Sequence, residues 1–197
     1  LSSYYDTTGN EEALEIAKGL QKIIEEKCTD EFGYLEAFKR NFQLEENDKL
    51  SENGVIAEKT MNTLLHVFEA YTEFYRVTKD KFTGDRLRFY AGYFLQTRYI
   101  TRHRKDRKYF FDREWNTLID LYSYGHDIET SWLIDRGLEV LDDPAYTAKV
   151  APITKEILAN VYKTAYRDHS LMNECENGVN DTTRVWWVQA ESVVGFF

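Results

Sequence analysis

The sequence predicts an all-α fold, a toroid or solenoid assembled from αα-hairpins, on three observations. Apolar residues recur at helical spacing through most of the chain. Only two prolines interrupt that rhythm. The periodic stretches, about six helices, fall into three successive pairs with the longer connections on one side. No strict sequence period is visible, so tetratricopeptide-like repeats are not expected.

The elements follow in order. "LSSYY" and "DTTGN" read as the end of one helix and its turn. "NEEALEIAKGLQKIIEEKC" (Asn10–Cys28) has Asn10 as cap, acids in its first turn, and a stripe of Leu14, Ala17, Leu20, Ile23 and Ile24. "EFGYLEAFKRNFQL" mixes aromatic and polar residues in partial alternation, which predicts a small hairpin or loop, and "SENG" (Ser51–Gly54) punctuates a turn. Val55–Thr78 is the next predicted helix, with a core stripe of Met61, Leu64, Leu65, Phe68, Tyr71 and Tyr75. Another spans roughly Gly84–Thr97. A helix opening at "YGHDIE" runs to about Leu141. The following one is capped by Asp143 with Pro144 at its first position, and Pro152 is expected to kink or restart it. A loop of about a dozen residues then precedes a last helix beginning in "TRVWWVQAESVVGFF".

Composition narrows the function. The chain is 197 residues long, which allows one domain or at most two with a real core, and 43% hydrophobic, which suits a packed globule. Fourteen Tyr, twelve Phe and four Trp supply flat amphipathic faces that serve a core or a sugar-ring site equally well. A net charge of −9 excludes a general nucleic-acid binder. The basic run "RYITRHRKDRKYFFDR" (Arg98–Arg113) reads as a solvated loop. Cys28 and Cys175 form no disulfide framework, which points to a reducing, cytoplasmic setting. No stretch has the length and apolarity of a membrane span, and no cofactor motif is present.

Three clusters have candidate chemistry. In "GHDIE", His126 and Glu129 are three apart and share one side of a first helical turn. An imidazole there suits proton transfer near neutral pH, and the helix N-terminus favours nearby negative charge. The plain alternative is an ordinary solvated helix start, with Asp127 and Glu129 complementing the dipole. A zinc site lacks further ligands at recognisable spacing. Asn62 and His66 lie one turn apart on the mid-chain helix, in a row continued by Glu69 and Glu73, and can bind hydroxyls or simply face water. In "RVWWVQAE", Trp186 and Trp187 point to different faces, while Trp187 and Glu191 share one, as a sugar platform or as core packing.

Taken together, "LSENG…KTMNTLLHVFEAYTEFY", "SYGHDIETSWLIDR" and "TRVWWVQAESVVGF" closely resemble the N-acylglucosamine 2-epimerase family over essentially the whole chain. The resemblance implies an (α/α)6 barrel, of which this chain would be a partial toroid forming a single domain. It implies C2 epimerisation of the reducing-end glucose of a β-1,4-linked disaccharide, through ring opening and a cis-enediolate, with no cofactor and no metal. His126 would be a general acid/base; Asn62, His66, Glu129 and Glu191 would contact substrate hydroxyls or assist ring opening; Trp187, with Trp186 as a neighbour, would stack on a sugar ring. The partner is then a disaccharide or oligosaccharide, with no nucleic acid and no membrane.

The chain begins at Leu1 and stops inside the apolar "VVGFF", which predicts the middle part of a longer protein. The family's substrate-steadying arginine and second catalytic histidine would lie outside it. His103 and His169 do not sit in that histidine's motif, so the chain by itself is expected to be inactive. Within the family, epimerisation or isomerisation of N-acylglucosamine or mannose is the alternative. A glycoside hydrolase is disfavoured because it needs paired carboxylates, and a non-catalytic carbohydrate-binding module is the alternative of another class.

Overall fold

The computed structural model describes residues 1–46, 54–96 and 109–197. Residues 51–53 of the "SENG" turn, the stretch 98–108 of the basic run, and His103 lie outside them. The described residues form seven α-helices with short strands between them, and divide into two compact units. The first comprises Leu1–Asp85 with Phe110–Leu118; the second comprises Arg86–Tyr109 with Ile119–Phe197.

In the first unit, α1 (Ser2–Thr8) ends at Gly9, whose φ of 67° lets its N–H reach the Tyr5 carbonyl. α2 (Glu11–Lys27) starts where Asn10 accepts the Ala13 N–H at 2.9 Å, with Glu11 and Glu12 in its first turn and Lys27 in its last, matching the helix dipole. Only part of its expected stripe is covered: Leu14 is buried, whereas Leu20 is 48% exposed and Ile23 is exposed too. β1 (Thr29–Asp30) and β2 (Gly33–Tyr34) form a hairpin that starts just ahead of the stretch expected to hold a hairpin or loop. Its turn is closed by Asp30, which accepts the N–H groups of Phe32 and Gly33 at 2.8 and 2.9 Å.

The long mid-chain helix starts later than expected. Val55–Glu58 is not helical, β3 (Lys59–Thr60) pairs with β4 (Phe110–Phe111), and α3 spans Met61–Thr78. The reason is local: the Thr60 hydroxyl caps the helix by accepting the Thr63 N–H, and the two residues before Met61 are committed to the β3–β4 ladder. Met61, Leu64, Leu65, Phe68 and Tyr71 of the expected stripe are buried. α4 (Lys81–Gln96) begins in the first unit and ends in the second. Among the described residues, no helix is long and apolar enough to cross a membrane.

The second unit is built on α5 (Tyr124–Leu141), which packs against α6 (Pro144–Ala165) and α7 (Trp186–Phe196). Asp143 caps α6 through the Tyr146 N–H, with Pro144 at the first position, as expected. Pro152 does not restart the helix: α6 is one element with Pro152 inside it. The lost N–H and the crowded carbonyl four residues back are tolerated because Val150, Thr154, Ile157 and Val161 bury the inner face on both sides.

The connection after α6 is ordered into strands, not the expected loop. β6 (Tyr166–Arg167) pairs with β7 (Ser170–Leu171), and β8 (Glu174–Glu176) lies between β9 (Val179–Asp181) and β5 (Leu121–Ser123). The strand-to-strand pairing with β5 is long-range, so local turn residues do not announce it. Tyr124, Ile128, Ile157, Val161, Leu171, Met172, Cys175 and Val188 form one buried core cluster that joins the helices to these strands.

Candidate active site

The second unit places His126 with care. β5 is held by Tyr122 opposite Cys175 and Ser123 opposite Glu174, and α5 begins at the next residue. His126 thus stands in the first turn of an 18-residue helix, where the unpaired N–H groups favour negative charge. The first turn is not the solvated helix start of the plain reading. Asp127 is 4% exposed and Glu129 is 7% exposed, so both carboxylates have left bulk water. Tyr124 anchors the turn, donating its hydroxyl to Asn180 Oδ1 at 2.7 Å. Burial first, then the nearby Cys175, pushes its phenol well above the usual range.

The imidazole is held on both nitrogens and both sides. Nδ1 lies 2.7 Å from Ser123 Oγ, and Nε2 lies 3.2 Å from the Tyr109 hydroxyl. The Tyr109 ring sits 4.7 Å from the imidazole centroid at 54°, and the Trp187 ring sits 4.8 Å away at 62°. Trp187 is held on α7, whose start is tied down by Gln189. That side chain accepts from the Leu171 N–H at 2.9 Å and donates to the Leu171 carbonyl at 3.0 Å.

Gly125 makes the Trp187 approach feasible. It is a helical residue, and a Cβ there would lie 2.4 Å from Cη2 of Trp187 and 2.8 Å from Cγ2 of Val188. We expect Gly125→Ala to push Trp187 off His126. The overpacking should cost about 1–3 kcal/mol, read as a lower unfolding midpoint with reduced turnover in the intact protein. Unchanged values for both would show that Trp187 swings aside freely.

The other candidates divide between the units. On α7, Glu191 accepts the Trp132 indole N–H at 2.8 Å, joining α7 to α5. Trp186 is 79% exposed and turned away from the core, whereas Trp187 is half-buried, so the two faces differ as expected. Asn62 and His66 belong to α3 in the first unit. Asn62 is half-buried; His66 is exposed, with Nδ1 2.9 Å from Glu69 Oε2. The same row continues with Glu73 accepting from Arg76 Nε at 2.8 Å. Among the described residues, no group of three His, Cys, Asp or Glu side chains converges as metal ligands.

Sequence reasoning missed Tyr109, Ser123 and Trp132. Tyr109 is 17 residues from His126 in the chain and Trp132 is 59 from Glu191, separations over which no helical period operates. Ser123 carried a signal, a serine three residues before the histidine at a helix start, and that signal reads as an ordinary cap.

An imidazole in the first turn of a helix, walled by two aromatic rings, stands on an all-α frame, and the comparisons place that frame in a family. The family model for N-acylglucosamine 2-epimerase (GlcNAc 2-epimerase) matches residues 1–196, and the chain belongs to that family. A cellobiose 2-epimerase of Ruminococcus albus is 46% identical over 196 residues, covering all of this chain and 50% of the relative. The crystal structure of a sugar epimerase from a ruminal bacterium superposes with a TM-score of 0.94 at 45% identity, covering 99% of this chain and 50% of that one. The structure of cellobiose 2-epimerase from Bacillus thermoamylovorans gives 0.89 at 44% identity, with the same coverage. The fold class is therefore that of these (α/α)6 barrels. The chain spans about half the length of the relatives it matches.

Proposed function

We propose that the intact protein is a sugar 2-epimerase that inverts C2 of the reducing-end glucose of β-1,4-linked disaccharides. The observation that carries this reading is His126, fixed through both nitrogens between Tyr109 and Trp187 at the head of α5. After ring opening, the C2 proton is acidified by the adjacent carbonyl. His126 takes it, and the electron pair of the broken C–H bond passes into a cis-enediolate. A second acid on the opposite face, supplied by a group other than His126, gives C2 a proton there, the mannose configuration results, and His126 releases its proton to solvent.

An imidazole is suited to both directions because its ordinary pKa lies near neutrality. The N-terminus of α5 helps to stabilise the enediolate's charge. Trp187 offers a ring face for stacking, and Glu129 and Glu191 offer carboxylates for hydroxyls. The hydroxyl-binding roles of Asn62 and His66 rest on their motif, "NTLLH", alone. Trp186, being exposed, is at most a neighbour of the stacking platform.

Substrate profiling of the intact protein is the test. Cellobiose should be converted to glucosyl-mannose with a far higher kcat/KM than free mannose or N-acetylmannosamine shows in its own epimerisation or isomerisation. Preference for a monosaccharide would move the assignment to another activity of the family. Binding without turnover of any of the three would support the non-catalytic reading.

A further inference from the structure

We propose that Ser123 is a positioning residue that holds His126 in the Nδ1–H tautomer, leaving Nε2 as the nitrogen that exchanges protons. The inference rests on the acid/base reading of His126 and extends it. Ser123 occupies the N-cap position of α5, with extended backbone angles of φ −99° and ψ 108°. A serine there normally accepts a backbone N–H from the first turn. This one makes no side-chain cap bond; its Oγ is instead 2.7 Å from Nδ1 of His126, three residues on. The helix forgoes its cap, and the hydroxyl is spent on the imidazole.

The chemistry of the two hydroxyls assigns the proton. A phenol ionises near pH 10, far more readily than an aliphatic alcohol, so it is the stronger donor and the weaker acceptor. The consistent arrangement has the Tyr109 O–H donating to Nε2, at 3.2 Å, and Nδ1–H donating to Ser123 Oγ. When Nε2 takes the C2 proton, the C2–H bond breaks and its electron pair enters the enediolate. The Tyr109 hydroxyl proton turns away, and the imidazolium's Nδ1–H keeps Ser123 Oγ as acceptor. That bond becomes charge-assisted at the moment the base is protonated. Ser123 therefore also raises the basicity of Nε2.

The test uses the intact protein labelled with ¹⁵N-histidine, with His126 signals identified by their loss in His126→Gln. Wild type should show a pyridine-type Nε2 and a pyrrole-type Nδ1 above the imidazole pKa. Ser123→Ala should move the pair toward the Nε2–H form and lower kcat about ten- to a hundredfold, with a smaller effect on KM. It should also shift the histidine limb of the pH–rate profile to lower pH, because the imidazolium loses its acceptor. Ser123→Thr should restore all three. An unchanged tautomer in Ser123→Ala would overturn the proposal, whether or not the unfolding midpoint falls as it would for a lost cap. The NMR readout needs no turnover, so failure of the epimerase assignment would be seen separately, in the substrate assay.

Discussion

In the intact protein, His126→Ala is expected to lower deuterium incorporation from heavy water at C2 of the reducing-end glucose by about 10²- to 10⁴-fold, the range that a positioned acid/base contributes. The effect should fall on kcat, because the proposed sugar contacts, Trp187 and the carboxylates of α5 and α7, are left in place. The fold should survive: the imidazole is half-buried, and the core of this unit lies under Ile128, Ile157, Val161 and Val188. Circular dichroism of the variant should match wild type, which separates lost chemistry from lost structure. Exchange retained at the wild-type rate would remove His126 from the mechanism.

The largest stability effect is expected at Asp30, far in sequence from the histidine. The Lys59 side chain is 0% exposed, and its Nζ lies 2.8 Å from both Asp30 carboxylate oxygens and 2.7 Å from the Arg113 carbonyl. It also stands over the rings of Phe32 and Trp115, at 5.5 and 5.8 Å. Asp30→Ala leaves this ammonium buried without its counter-charge and opens the β1–β2 turn that Asp30 closes. Breaking a buried pair on one side costs about 3–5 kcal/mol, so the unfolding midpoint of the intact protein should drop sharply. Lys59→Met should cost less, because Asp30 keeps the Arg113 guanidinium at 3.0 Å. Equal losses in the two variants would refute this account.

The same pair sets a pH dependence. Burial pushes the Asp30 carboxyl up, but the Lys59, Phe32 and Arg113 hydrogen bonds outweigh it and hold the group below its ordinary value. A depressed carboxyl contributes stability that is present above the unfolded pKa of 3.8 and lost as pH falls through the lower folded value. Lys59 is also held below its ordinary value, burial outweighing the attraction of Asp30. The two directions agree physically: Asp30 faces two cations, whereas Lys59 has one carboxylate and is fully desolvated. In Asp30→Ala the lysine should be lowered further. The unfolded chain then binds the extra proton, and the variant should regain stability as pH rises toward 10.5.

Much of the fold was legible because its signals are local. Asn10 and Asp143 cap the helices where the sequence places them, the Asp143-Pro144 start included. The buried stripe of α3 follows the 3.6-residue period. The errors have a common cause. Val55–Thr60 looked helical because its composition permits it, but Thr60 caps and Lys59–Thr60 pairs with a strand about fifty residues away. The segment after α6 looked irregular because its partner, β5, lies on the far side of two helices in the chain.

The same division runs through the candidate site. By itself the sequence determined that His126 heads a helix, that Glu129 shares its turn, and that Trp187 and Glu191 share a face, because those relations are set by helical geometry over a few residues. Only the tertiary structure decided what surrounds the imidazole. Tyr109, Trp187 and a serine turned from capping to positioning meet there because a glycine admits the indole and long-range packing brings α7 onto α5. Helical periodicity cannot specify such contacts; burial of the surrounding apolar core does.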